Sequence, residues 1–267
     1  MDIRSRLLKM EESLRAAGRL ERETLALAAF EVFISQQALD HLSFATPVSP
    51  GPANWTAHVA ALKEAFESRG KRPRLEFIEE LHPALAPALE EAGLRCEMRA
   101  PLMTLDLADL PGAPPAERSA GEYVALEADD EALLRRYLLQ QSVAYGGEAD
   151  ASSAPDDVRA LDWLPSLRAG LRGGRVMGAA LAREGQLLAG AVIQIGAGVG
   201  ELAGVWSDAQ RRRQGLAYAL CRQLLAAYNA AGYEMCWLSA AEGAQRLYEK
   251  LGFVTVGTQL NYGAARA

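Results

Sequence analysis

The stretch Arg212-Arg213-Gln214-Gly215-Leu216-Ala217 decides the fold of this chain. It follows an apolar run at 200–206 and precedes a helical pattern that continues to residue 231, which predicts a strand, a tight loop and a helix start. A helix start presents unpaired N–H groups and the positive end of the helix dipole, so it favours an anion. Gly215 allows the backbone to approach an anion closely. An ordinary helix start beside a solvated arginine run is the alternative interpretation.

A second string lies one helix and one strand further along the chain. A strand is predicted at 234–240, a short helix at 243–251 and a last strand at 254–260. The short helix carries Leu247-Tyr248-Glu249-Lys250-Leu251-Gly252-Phe253. Together with the Arg-x-x-Gly-x-Ala spacing, this string resembles the two hallmarks of the GNAT N-acetyltransferase superfamily. The resemblance implies an α+β fold, in which helices flank a mixed, mostly antiparallel sheet.

The same resemblance implies acetyl-CoA as co-substrate. The backbone of the fourth strand of the fold would bond the pantetheine arm, and the loop amides would hold the diphosphate. The residues assigned to the cofactor in this way are Val205, Trp206, Ser207, Arg212, Arg213, Gln214, Gly215, Leu216 and Ala217. The chain departs from the family pattern at Ala209, where proline is common, and at Ala241, where asparagine is common.

Two residues are candidates for catalysis. Tyr248 corresponds to a family tyrosine that protonates the leaving thiolate, and a packed aromatic with a satisfied hydroxyl is the alternative. Glu201 stands eleven residues before Arg212 and is the candidate base, acting through water. A solvated residue at the start of a strand is the alternative for Glu201.

The acceptor is expected to be an amine, carried by a small molecule or a peptide. In the family, the first two helices and their loop line the acceptor pocket. Here that region contains four carboxylates and two aromatic residues, a combination that suits a cation, although an ordinary polar loop would look the same. These residues are Glu148, Asp150, Asp156, Asp157, Tyr145 and Trp163.

Composition excludes several classes of function. The chain has 267 residues, half of them hydrophobic, and a formal net charge of −6, which disfavours nucleic acid as a partner. Its three cysteines and three histidines have no metal-ligand spacing, so no metal site is expected. No signal peptide or membrane-spanning segment is predicted, and the cysteines are interpreted as reduced core thiols of a cytoplasmic protein.

The chain is predicted to form two domains. Pro111-Gly112-Ala113-Pro114-Pro115-Ala116 is the clearest linker, so domains are expected at 1–112 and 117–267. The first domain repeats the helix, strand, helix, strand order of the second, with Leu89 at the position of Tyr248. It is therefore interpreted as a partial copy of the same fold without the phosphate loop. An unrelated α+β domain is the alternative, and a homodimer is possible.

The leading functional hypothesis is an N-acetyltransferase with direct transfer from acetyl-CoA to an amine. A longer acyl group is not excluded. The alternatives are a sensor that binds acyl-CoA without turnover and a scaffold that binds a protein partner.

Overall fold

The computed structural model describes residues 2–20, 22–36, 42–49, 51–112, 121–145, 160–241 and 243–265. The chain divides into two compact units. The first unit consists of Met1–Thr104, Ser239–Arg246 and Val254–Ala267. The second unit consists of Leu105–Leu238 and Leu247–Phe253.

In its described residues, the first unit combines three helices with six strands. The helices are α1 (Ile3–Gly18), α2 (Thr56–Glu67) and α3 (Leu85–Glu91). The strands are β1 (Glu23–Ala26), β2 (Phe30–Ile34), β3 (Phe44–Pro47), β4 (Arg74–Ile78), β5 (Leu94–Asp106) and β11 (Val254–Ala264). Their order across the sheet is β1-β2-β3-β4-β11-β5, and every neighbouring pair is antiparallel except β3 with β4.

One hydrophobic core holds α2 and α3 on the first unit's sheet. Val59, Leu62 and Phe66 recur at helical spacing on α2, so they form one buried stripe. This stripe belongs to the same cluster as Phe77 of β4 and Leu260 of β11. Strand β11 lies near the C-terminal end of the sequence, yet its residue Leu260 contributes to this core.

The second unit has the elements that carry the predicted loop. Its strands are β6 (Glu122–Ala125), β7 (Val176–Arg183), β8 (Gln186–Gly196), β9 (Val199–Ser207) and β10 (Met235–Ser239), in the order β10-β9-β8-β7-β6. Its helices are α4 (Glu131–Ala144), α5 (Leu164–Arg172) and α6 (Leu216–Ala230), and the short α7 (Gln245–Lys250) precedes β11. Only β9 and β10 run parallel. Helices α4 and α6 both pack against β8 and β9, which fixes the position of the helix that follows the loop.

The predicted class is confirmed, since the structure is α+β with mixed, mostly antiparallel pairing. The two compact units change over in sequence after Thr104, Leu238, Arg246 and Phe253, and the domain bounds 1–112 and 117–267 stay a prediction. Residues 254–267, expected in the second domain, lie in the first unit, where β11 hydrogen-bonds to β4 on one side and β5 on the other. The linker residues 113–116 lie outside the described residues.

Neither a membrane span nor a metal cluster occurs in the described residues. Within those ranges, no helix has both the length and the apolar character needed to cross a bilayer. The same ranges contain no group of three His, Cys, Asp or Glu residues able to hold a metal ion.

Candidate active site

Strand β9 separates from its parallel neighbour part way along its length. It pairs with β8 from Val199 to Ser207, but its register with β10 covers only Gly200 with Cys236 and Glu201 with Trp237. Beyond these pairs the two strands diverge, and we call the opening between them the β9–β10 fork. A register shift on the β8 side accompanies a left-handed Gly204 with φ of 59°. The bulge turns the second half of β9, as bulges beside functional sites do.

The three strand residues predicted to hold the pantetheine arm occupy this diverging half of β9. Trp206 is buried and packs edge-on against Tyr137 with ring centroids 5.7 Å apart, whereas Val205 and Ser207 are half-buried. The Val205 carbonyl accepts a hydrogen bond of 3.1 Å from the Tyr145 hydroxyl. The Val205 backbone, which the resemblance assigns to binding of the co-substrate, is thus hydrogen-bonded to the Tyr145 side chain in this structure.

The loop after β9 is shaped by its own backbone. The Asp208 carboxylate accepts a hydrogen bond of 2.9 Å from the backbone N–H of Gln210, which closes a short turn at Ala209–Arg211. Arg213 and Gly215 then adopt left-handed φ values of 64° and 79°. For Arg213 this conformation is uncommon, and such backbone strain concentrates at functional loops.

Helix α6 begins at this loop without a side-chain cap. Gly215 is its N-cap residue and supplies no side-chain acceptor, so the first-turn amides have no capping side chain. A Cβ built on Gly215 would meet no atom within 4 Å, so the space in front of these amides is open. Leu216 is buried and Ala217 is half-buried, and both anchor the first turn against the unit.

Positive side chains lie beside the open helix start. Arg212 and Arg213 are exposed, as is the neutral Gln214. Arg212 Nη2 donates to the Ala144 carbonyl at 3.3 Å, which places its guanidinium beside the end of α4. Arg211 lies 3.8 Å from the Asp208 carboxylate and is partly neutralised by it. The loop therefore joins backbone donors to nearby positive side chains, the usual composition of a diphosphate site.

Tyr248 is a buried residue of α7. Its side chain is 7% exposed and meets the Phe253 ring edge-on at a centroid distance of 6.0 Å. Burial raises the pKa of its phenol above the ordinary value of 10.0, and the Cys221 and Tyr145 side chains add to this increase. Tyr248 therefore keeps its proton at neutral pH and lies within electrostatic range of Tyr145, which contacts β9.

Glu201 lies at the apex of the β9–β10 fork. It faces Gln194 of β8 and Trp237 of β10 in register and is half-buried. Ser207 is six residues further along β9, about 20 Å at strand rise. The structure thus places Glu201 and the loop at 208–215 at opposite ends of the strand. It is an interior strand residue here, not a solvated strand end.

The predicted acceptor residues fall into two groups. Glu148, Asp150, Asp156 and Asp157 lie outside the described residues. Trp163 is the N-cap residue of α5 and packs against the second unit's core.

A cleft of about 640 Å³ lies beside the loop, between α4, the β7–β8 turn and the first loop residues. Its polar lining includes Arg136, Gln140 and Gln210.

Sequence reasoning missed two contacts that hold β9 in place. The Tyr145 hydroxyl donates a hydrogen bond to the Val205 carbonyl, and the side-chain amide of Gln141 donates one of 3.2 Å to the Gly204 carbonyl. The only sequence signal was a glycine inside a strand, which often marks a bulge. The interpretation of the cysteines as core thiols is confirmed for Cys221 and Cys236, which are buried, and is wrong for Cys96, which lies on an exposed stretch of β5. Burial raises the pKa of Cys221 to about 12, far from that of a nucleophile.

Comparison with known proteins supports this assignment of elements. The acetyltransferase (GNAT) family model matches residues 138–253. A GCN5-related N-acetyltransferase from Kribbella flavida has 21% identity and a TM-score of 0.73, covering 99% of this chain and 96% of its own. A GCN5-related N-acetyltransferase from Sphaerobacter thermophilus has 16% identity and a TM-score of 0.60, covering 88% and 76%. Among curated protein sequences, none matches the chain significantly.

Proposed function

We propose that this protein is an N-acetyltransferase that transfers acetyl from acetyl-CoA directly to an amine, and the match of the acetyltransferase (GNAT) family model to residues 138–253 supports this proposal. The observation that carries the proposal is the uncapped N-terminus of α6 at the end of the forked strand β9. The acceptor amine belongs to a small molecule or a peptide. The proposal includes no metal and no nucleic acid.

The loop fits the diphosphate of the co-substrate. The first-turn amides of α6 are uncapped, and the space before Gly215 is open. Arg212 and Arg213 would neutralise the negative charge, and exposed guanidiniums contribute less than the amides because solvent screens them. The backbone of Val205, Trp206 and Ser207 would hold the arm, which would compete with the Tyr145 hydroxyl for the Val205 carbonyl.

Tyr248 supplies the proton that the reaction needs. Transfer forms a C–N bond to the amine and breaks the C–S bond of the thioester, so the departing sulfur requires a proton. The buried phenol remains protonated at neutral pH and donates that proton. Glu201, at the apex of the fork, takes the proton released by the amine through water, and solvent then restores the tyrosine.

Turnover is the experiment that tests this function. Purified protein with acetyl-CoA and a panel of amines should release free CoA, detected as a new thiol, and the acetylated amine should appear by mass spectrometry. Thermal stabilisation by acetyl-CoA without thiol release from any amine would indicate a sensor instead. No heat of binding and no thermal shift with any CoA derivative would refute both.

A further inference from the structure

A bulge interrupts the pairing of β9 with β8 in the diverging half of β9. In the register of the two strands, Gly204 and Val205 of β9 together oppose only Ala191 of β8. Gly204 adopts a left-handed φ of 59°, the conformation of the first residue in a glycine bulge. One residue of β9 is therefore left out of the ladder, so contacts outside the ladder help to set the direction of its peptide groups.

These contacts come from the end of α4. Gln141 and Tyr145 are four residues apart, so their side chains lie on the same side of the helix end. The side-chain amide of Gln141 donates a hydrogen bond of 3.2 Å to the Gly204 carbonyl. The Tyr145 hydroxyl donates one of 3.1 Å to the Val205 carbonyl. Two successive carbonyls of the bulge are thus held by side chains of one helix.

Gln141 lies directly against Gly204. A Cβ built on Gly204 would stand 2.7 Å from Gln141 Nε2, which is closer than these two atoms can approach. Any larger residue at position 204 would therefore push the amide away from the carbonyl. The absence of a side chain at Gly204 makes room for this hydrogen bond, in addition to permitting the positive φ.

The hydrogen bond to the Gly204 carbonyl also fixes the direction of the Val205 N–H. Both groups belong to one planar trans peptide unit, in which the C=O and the N–H point in opposite directions. Because the carbonyl points to the Gln141 amide, the Val205 N–H points away from it. Val205 is the first of the three residues whose backbone is proposed to hold the arm of acetyl-CoA, so Gln141 orients the first backbone donor of that stretch.

We propose that Gln141 is a positioning residue for acyl transfer, which acts by orienting the peptide between Gly204 and Val205. This inference rests on the function proposed above for the second unit. The first-turn amides of α6 hold the diphosphate whether or not Gln141 is present, whereas the direction of the arm decides how the thioester carbon meets the amine. Loss of the hydrogen bond therefore lowers kcat more than affinity, since a misplacement of about 1 Å can cost about 100-fold in rate.

The proposal requires the side chain at position 141 to be a hydrogen-bond donor. Gln141→Met keeps the length of the side chain and lacks a donor at every pH. Gln141→Glu keeps the shape, but its carboxylate only accepts hydrogen bonds and regains an O–H donor when it is protonated. Position 141 is half-buried and faces a carbonyl oxygen, which raises the pKa of such a carboxyl above its usual value of about 4.3. The donor therefore returns as the pH falls towards about 5.

Steady-state kinetics of the full chain tests this role, with Gln223→Glu as the matched control. Gln223 of α6 is also half-buried and donates its side-chain amide to a backbone carbonyl, that of Ala219, at 3.3 Å. At a pH of about 8, both Gln141 variants should lose about tenfold in kcat, while Kd for acetyl-CoA from calorimetry changes less than about threefold. The control should match the wild type. As the pH is lowered, kcat of Gln141→Glu should recover relative to that of Gln141→Met.

The possible outcomes separate this inference from the function on which it rests. Each kcat is expressed per folded molecule, from the melting curve of the variant. Unchanged kcat in both Gln141 variants, in a wild type that turns over, overturns this inference alone. An equal loss in the two variants at every pH also overturns it, because packing and not the donor would then matter, and so does a loss of affinity with unchanged kcat. A wild type that acetylates no amine refutes the proposed function, and this inference with it.

Discussion

Both units contain a pair of parallel strands that separates into a fork, yet the two forks end differently. At the β9–β10 fork, strand β9 leads into an exposed loop with an uncapped helix start. In the first unit, the parallel register of β3 and β4 covers only Ala45 with Leu75, and we call the opening beyond this pair the β3–β4 fork. There, strand β3 ends at Pro47, whose carbonyl accepts a hydrogen bond of 2.9 Å from the buried Arg15 of α1. The same strand arrangement therefore leads to an open helix start in one unit and to a closed strand end in the other.

Charged residues close the end of the β3–β4 fork. Glu11 of α1 is fully buried, and one of its carboxylate oxygens lies 2.5 Å from His82 Nε2. Its other oxygen accepts from the Ser49 hydroxyl at 2.8 Å and from Arg15 at 3.0 Å. Trp55, the residue before α2, is buried and meets the His82 ring edge-on with ring centroids 5.7 Å apart.

The largest expected effect is on the closed fork. Glu11→Gln leaves Arg15 and His82 without their buried carboxylate, and such a loss costs about 3 kcal/mol of unfolding free energy, measured in urea at neutral pH. Glu12→Gln is the matched control, because Glu12 pairs with Arg15 from a more exposed position, and it should cost under about 1 kcal/mol. Equal losses in the two variants would mean that buried charge does not hold this fork closed.

The same cluster predicts how stability depends on pH. Burial alone would raise the pKa of Glu11, but hydrogen bonds from His82, Ser49 and Arg15 outweigh it and lower the pKa below 4.5. A lowered pKa gives stability that is present above the unfolded value and lost as the pH falls through the folded value. Urea midpoints of the wild type should therefore fall below pH 4.5 more steeply than those of Glu11→Gln.

At the open fork, Tyr248→Phe should have the next largest effect. Removing the proton donor should lower kcat about 100-fold, while acetyl-CoA affinity from calorimetry stays unchanged. Tyr123→Phe, on the outer strand β6, serves as control and should retain full activity. Full activity in Tyr248→Phe would contradict the role of Tyr248 as proton donor and would favour the alternative, a packed aromatic residue.

Gly215→Ala tests the anion loop itself. We expect CoA affinity to fall about tenfold, because a left-handed non-glycine residue is strained by about 1–2 kcal/mol and its Cβ intrudes where the diphosphate lies. Gly232→Ala is the matched control after the other end of α6, with φ of 95° and equally open surroundings. Equal loss of CoA affinity in both variants would remove the loop from the binding site.

The smallest expected effect concerns the bond between Tyr145 and β9. Tyr145→Phe frees the Val205 carbonyl, so acetyl-CoA should bind about threefold more tightly, the scale of one neutral hydrogen bond. Calorimetry beside the Tyr123→Phe control measures the difference. Weaker binding would show that the Tyr145 hydroxyl assists the arm instead of competing with it.

Local patterns predicted the elements of the second unit well. The turn that joins β7 and β8 is also local, and its residues Glu184 and Gly185 both have positive φ. The expected strand at 234–240 appears at Met235–Ser239, and the short helix with Tyr248 appears at Gln245–Lys250. These features depend on periodicity and turn residues that lie within a few positions of one another.

The long-range partners were not predictable in this way. The apolar alternation of residues 254–260 predicts a strand, but the strand's neighbours β4 and β5 are decided by pairing across more than a hundred residues. Glu11 and His82 are 71 residues apart, and no local sequence pattern around either residue predicts their contact. Order and spacing match between the units, while the origin of the first unit as a partial copy stays a prediction.

The sequence by itself determined that a strand leads through a glycine-containing, arginine-rich loop into a helix, because strand, turn and helix signals are local. It also determined which residue types stand at the site, including the tyrosine of α7. Tertiary structure alone decided that β9 leaves β10 after Glu201, that Tyr145 engages Val205, and that α1 closes the other fork. These outcomes depend on which surfaces are buried together, and burial is a property of the folded chain as a whole.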